Sequence, residues 1–309
     1  MRRLEEFLAD PSSIASSARV KKYSDIEFNN KKYPLLSVHY GNPSGPALLM
    51  TGGVHGLERI GAQLTLSLLE SFQQRLKWDE TLNAMLEKIQ VVFVPLVNPA
   101  GYLGFTRSNG SGVDLMRNAP IECEESPPFL LGGHRYSSAL PWYRGEKTET
   151  ETQFLIDTVK DILKSTDCMI SLDAHSGFGL RDQLWYPFAN SRKTFTQSEQ
   201  LTGFFELLKN NHPYHIYKIE PQSKVYMTHG DIWDYCYLNF KKTDQVYLPL
   251  TLEMGSWIWV KKNPLQLLSK TGIFNPIKSH RVNRTLRRHR ALFDFMLHSL
   301  VSHKAWSQK

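Results

Sequence analysis

The chain has 309 residues, 41% of them hydrophobic, and a formal net charge of +7. That is enough apolar material to bury one large core, so a single α/β domain spanning residues 1–309 is expected. No Gly/Ser- or Pro-rich linker, no repeat at a solenoid period and no apolar run long enough to span a bilayer is present, which excludes a linked array, a solenoid and a helical membrane protein.

In chain order, residues 1–10 carry an early basic pair, but Glu5 and Glu6 interrupt the short apolar stretch. This makes a poor secretory signal and predicts a cytoplasmic protein. Strands are predicted at 33–40, 47–51, 91–97, 169–173 and 246–252, where branched residues are bounded by Gly, Pro or Asn. Helical periodicity marks 62–74, 149–164 behind Thr148 as its cap, 197–209, a stretch near 231–238, and 285–302. Strands alternating with helices predict a mainly parallel sheet covered on both faces, with ligands at the carboxyl ends of its strands. Cys123, Cys168 and Cys236 are odd in number and scattered, against both a disulfide framework and a thiolate metal site. The basic run at 281–290 lacks the interleaved aromatics of a nucleic-acid groove. It reads as the solvated face of the last helix, with attraction for acidic ligands as its one functional corollary. No nucleic-acid or membrane partner is expected.

The chemistry-bearing residues gather where apolar runs break. His55 and Glu58 close the run 47–58, and His175 follows the β-branched run 169–173. A histidine and a carboxylate three residues apart, with a second histidine, form a donor set that zinc accepts, and a catalytic zinc keeps one position open. Between these ligands lie Asn98-Pro-Ala-Gly-Tyr102, Arg107 and Asp114-Leu-Met-Arg-Asn118, and Thr251-Leu-Glu253 follows. Thr148-Glu-Thr-Glu-Thr152 and the spacing Tyr226-x3-Gly230-x3-Asp234 add two fainter signals.

In this order and spacing, from about residue 48 to about 255, the motifs resemble the zinc carboxypeptidase family, the carboxypeptidase A-like metallopeptidases. The resemblance implies a mixed sheet of about eight strands, with the motif-bearing core at about 33–260 and a closing helix at about 285–302. It implies one Zn2+ per chain on His55, Glu58 and His175, with Glu253 as general base and Arg107 stabilising the oxyanion. Arg117 would pair with a substrate carboxylate, and Asp114 would accept from the His55 ring. Met116, Asn118, Tyr226, Asp231, Trp233 and Thr251 would complete the substrate site. Asp231 has two readings, an acidic group in the side-chain pocket selecting cationic termini or the cap of the following helix.

Ala100, Met116 and Ala119 depart from the family's residues at their positions. Met116 matters most, because it replaces an Asn that helps hold the substrate carboxylate with a thioether that has no donor. The expected activity is removal of a C-terminal residue from a peptide by zinc-activated water. The alternatives are an amidase or deacylase acting on a small acyl-amino acid or cell-wall peptide, and a zinc-bearing binding protein that has lost turnover. The expected partner in either enzyme reading is a peptide or acyl-amino acid with a free carboxylate.

Overall fold

The computed structural model describes residues 4–9 and 18–308. Of the segment read as a poor secretory signal, residues 1–3 and 10 lie outside the described residues. The elements are α1 (Leu4–Ala9), β1 (Arg19–Phe28), β2 (Lys31–Gly41), β3 (Ala47–Gly52), α2 (Arg59–Arg75), α3 (Glu80–Leu86), β4 (Gln90–Val94) and α4 (Pro99–Gly104), then α5 (Thr150–Ser165), β5 (Cys168–Ser176), β6 (Gln183–Tyr186) and α6 (Ser198–Asn211). They end with β7 (Lys218–Pro221), α7 (Ile232–Phe240), β8 (Val246–Met254), α8 (Trp257–Lys262), α9 (Ser279–Val301) and α10 (Lys304–Ser307).

The eight strands form one mixed sheet in the order β1-β2-β4-β3-β5-β8-β6-β7. Its centre is parallel, through β4, β3, β5 and β8, and the pairs β1–β2, β2–β4 and β6–β8 are antiparallel. Every residue of β3, β4 and β5 is buried. These strands are therefore covered on both faces, and this is why they read in sequence as near-continuous apolar runs rather than alternating ones. Beside the sheet, α2 packs on β3, β5 and α9, and α5 packs on β5 and α7. A cluster of Tyr40, Phe72, Phe93 and Phe293 joins β2, α2, β4 and α9, with ring centroids 5.1–6.4 Å apart.

Among the described residues no helix is long and apolar enough to cross a membrane. Several predicted boundaries move. The strand expected at 91–97 ends at Val94, and beyond it Val97 and Asn98 donate their backbone N–H to the carbonyls of Gly52, the last residue of β3, and Gly53 just after it. Thr148 does not cap α5. Position 149 does, and the Glu149 N–H is taken by the Asn118 side chain at 2.7 Å. The last helix starts at Ser279, six residues before its expected start, because its first turn is held by backbone bonds to Lys278 rather than marked by an apolar stripe.

Candidate active site

Three neighbouring parallel strands bring the site together. The loop after β3 carries His55 and Glu58, with Glu58 at the N-terminal boundary of α2. Alternation along β5 puts Asp173 and His175 on one face, and the register of β5 with β8 sets Asp173 opposite Thr251 and His175 opposite Glu253. A glycine permits the close approach of α2 to β5. A Cβ on Gly61 would stand 2.1 Å from the Ala174 carbonyl oxygen, beside His175. From the far side Asn275 clamps the same loop, donating to the Leu57 carbonyl at 2.7 Å and accepting the Ile60 N–H at 2.9 Å.

His55 Nδ1 lies 2.8 Å from Glu58 Oε1, and His175 Nδ1 lies 3.0 Å from Glu58 Oε2. Ligand atoms of the three buried residues all lie within 4.8 Å of one another. The outer ring nitrogens face carboxylates, His55 Nε2 with Asp114 Oδ1 at 3.0 Å and His175 Nε2 with Asp173 Oδ2 at 2.6 Å. In the tautomers that point each ring's N–H at its outer carboxylate, Nδ1 of both rings turns inward as an acceptor. Two such nitrogens and a carboxylate converge with no donor among them in the neutral tautomers, a set that a divalent cation satisfies and whose outer carboxylates fix the tautomer. These residues therefore fit zinc. Burial alone would raise the Glu58 carboxyl, but His55 and His175 outweigh it and hold it well below the usual range. Burial likewise opposes charge on His175, yet Asp173 and Glu58 hold its pKa well above the ordinary value.

Arg107 donates from Nε to Asp114 Oδ2 at 2.8 Å and from Nη1 to Glu58 Oε1 at 3.1 Å, so its guanidinium is fixed at the edge of the triad. Glu253 accepts the Phe178 N–H at 2.9 Å. Burial, reinforced by the Glu58 charge, pushes its pKa up to about 8 in the metal-free chain. A dication at the triad acts in the opposite sense and favours the carboxylate.

These groups line a cavity of about 400 Å³ together with Arg117, Met116, Tyr226 and Thr251. Arg117 is only 2% exposed. Its Nε and Nη1 bond the Leu131 and Met116 carbonyl oxygens at 3.2 and 3.4 Å, while Nη2 is buried without a partner among the described residues. The Tyr226 ring lies 5.8 Å from this guanidinium. Gly230, at φ +68°, lets the tyrosine loop close on Arg117, since a Cβ there would fall 1.9 Å from the Arg117 carbonyl oxygen.

Three residues expected at the substrate site lie outside this cavity. The Asn118 amide donates to the Arg144 and Lys147 carbonyls at 2.7 and 2.8 Å, and with its bond to Glu149 it is spent on backbone. Asp231 caps α7 through the Trp233 and Asp234 N–H groups, both at 2.9 Å. The buried helix start takes Oδ1 of its carboxylate, and Asp231 does not line the cavity. Trp233 turns its indole N–H to Asp173 Oδ2 at 3.1 Å, which makes it a support for the His175 partner. Asp231→Ala is therefore expected to cost about 1 kcal/mol of stability, typical of a lost cap, with no change in substrate preference. Thermal melts and the ratio of Lys to Phe release from model peptides check both halves.

Asp173, Phe178, Trp185 and Gln222 are not singled out by the sequence, although Phe178, Trp185 and Gln222 line the cavity. Asp173 had a signal, a carboxylate two positions before His175 and hence on the same strand face. Trp185 had none, because it reaches the cavity only through the pairing of β6 with β8, opposite Thr251.

The zinc carboxypeptidase family profile matches residues 12–257. Carboxypeptidase D of Anas platyrhynchos is 24% identical over 213 residues, an alignment that takes in 65% of this chain but only 13% of that protein. Among solved structures, bovine thrombin-activatable fibrinolysis inhibitor in complex with tick carboxypeptidase inhibitor superposes with a TM-score of 0.66 at 20% identity, covering 92% of this chain and 91% of that one. The carboxypeptidase A of Helicoverpa armigera gives 0.62 at 16% identity, covering 81% of this chain and 63% of that one. With a profile match over most of its length and the same fold as these structures, the chain belongs to the zinc carboxypeptidase family.

Proposed function

We propose that this protein is a zinc-dependent carboxypeptidase that releases the C-terminal residue of a peptide. One observation carries the reading. Arg117, whose Nη2 is buried without a partner among the described residues, lines the same cavity as the His55–Glu58–His175 triad and Glu253. A buried cation with a free N–H group is costly unless a ligand anion completes it, and a guanidinium matches a carboxylate in two-point geometry. His55, Glu58 and His175 would hold zinc, which would supply Lewis-acid activation of a water and of the scissile carbonyl.

The chain's own residues do the rest. Glu253, with Oε1 already accepting from Phe178, has Oε2 to take the proton of the attacking water and pass it to the leaving amine. Arg107, fixed by two carboxylates, presents its guanidinium where negative charge grows on the carbonyl oxygen. Tyr226, near Arg117, has a hydroxyl that burial keeps protonated and able to donate to the substrate. Met116 lines the cavity without a donor, so Arg117 carries carboxylate recognition with less help.

That last feature favours a second reading, an amidase or deacylase for a small acyl-amino acid. The cavity, lined in part by Trp185, has a volume of about 400 Å³, within the range of small-molecule sites. The two readings part on substrate length. The test is release of the terminal amino acid, or of its amide from amidated substrates, abolished by chelator, from peptides against acyl-amino acids, each with a free or amidated C-terminus. Arg117→Ala is expected to lower kcat/KM for free-carboxylate substrates by about 10²-fold, as for a buried charge losing its partner, and to leave amidated ones unchanged. Equal loss on both would place the carboxylate elsewhere.

A further inference from the structure

The basic run at the start of α9 keeps a solvated face, with Arg284, Arg287, Arg288 and Arg290 exposed, and it also borders a cavity. Arg281, Arg284 and Arg288 fall three and four residues apart, on one side of the helix, and line a cavity of about 550 Å³ together with Arg181 and Lys262. This cavity shares no lining residue with the active site. We propose that it is a binding site for a compact phosphate-bearing anion.

The charge balance points there first. Five permanent cations face a space with one carboxylate, Asp182, whose oxygens are already occupied. Its Oδ1 accepts the Gly255 N–H at 3.0 Å, and its Oδ2 accepts from Arg288 Nη1 at 3.0 Å. Arg281 is steered by the Trp259 and Lys262 carbonyl oxygens at 3.2 and 3.5 Å, neutral acceptors that orient the guanidinium without cancelling its charge. Arg181, Lys262 and Arg284 have no carboxylate partner among the described residues. Arg181, Lys262, Arg284 and Arg288 are exposed, so solvent screens their mutual repulsion, and an anion that bridges them adds charged hydrogen bonds that water alone does not supply. A monocarboxylate brings one charge, whereas a phosphate brings up to two and several acceptor oxygens.

The walls make the second argument. His215 lines the cavity, and its Nδ1 is shielded from water with no partner among the described residues. In the tautomer that protonates Nδ1, an anion's oxygen is the acceptor this nitrogen lacks. Ile258 and the buried Trp259 form an apolar side, leaving room beyond the phosphate for an organic group, in a volume ordinary for small-molecule sites.

The test is calorimetric titration of the zinc-loaded chain with inorganic pyrophosphate at physiological salt. One saturable site per chain is expected, weakened about tenfold by Arg284→Ala, as for loss of a charged hydrogen bond, and unchanged by Arg287→Ala, which removes a charge from the same helix outside the cavity. Arg117→Ala is expected to leave this binding intact. No binding, or binding that Arg284→Ala leaves unaltered, overturns the proposal. Loss with Arg117→Ala does so as well, by moving the anion to the active site, and equal weakening by Arg284→Ala and Arg287→Ala does so by reducing the effect to diffuse attraction. Binding to phosphatidylglycerol vesicles that pyrophosphate does not displace would also overturn it, by moving recognition to the outer surface.

Discussion

Glu253→Gln is expected to keep the metal and lose the reaction. The side chain is not part of the triad, and the amide retains both its shape and an oxygen for the Phe178 N–H, so the cavity has no reason to rearrange. What disappears is the proton acceptor. Turnover should fall by roughly the 10²–10⁴-fold associated with general acid–base catalysis, or by more, while zinc per chain stays at the wild-type level. Elemental analysis alongside single-substrate kinetics separates the two quantities. Near-normal turnover with Glu253→Gln would assign the base to another group.

His175→Ala should do the reverse. It removes one of three donors and leaves Asp173, held by Thr51 Oγ1 at 2.7 Å and the Trp233 indole at 3.1 Å, facing a void. Zinc affinity should drop by more than the roughly 10–100-fold that loss of an outer partner costs, with Asp173→Ala as the milder comparison. Competition with a chromogenic chelator measures both, and circular dichroism shows that the sheet persists. Unchanged zinc content in His175→Ala would falsify the donor set.

The donor set was legible because a histidine or an acid that closes an apolar run is costly to bury without a partner, and His55, Glu58 and His175 all stand at such places. The parallel centre of the sheet was legible for a related reason, since strands buried on both faces leave uninterrupted apolar stretches. The edges were not. β1 is largely exposed, and β6 and β7 are four residues each, too short and too mixed to stand out from loop. Asp231 shows the limit from another side. Its position in the tyrosine loop was readable, but whether a carboxylate turns toward a cavity or toward the N–H groups of the next helix turn depends on which demand is buried, and that is settled in three dimensions. The same holds for Arg281, Arg284 and Arg288, whose spacing gave the helix face but not the cavity beneath it.

The Asn275 clamp bears on where the working unit ends. Every proposed metal ligand, Arg107, Arg117 and Glu253 lie within the span 12–257 matched by the family profile, and a fragment cut at residue 257 would keep all of them. It would lose the one side chain that ties the Leu57 carbonyl and the Ile60 N–H together on either side of Glu58. Its donors would be present in the right number on a loop free to sample other shapes. For this chain, the boundary drawn by sequence similarity is shorter than the boundary drawn by mechanical support, and a minimal version of the protein has to reach at least the segment that carries Asn275.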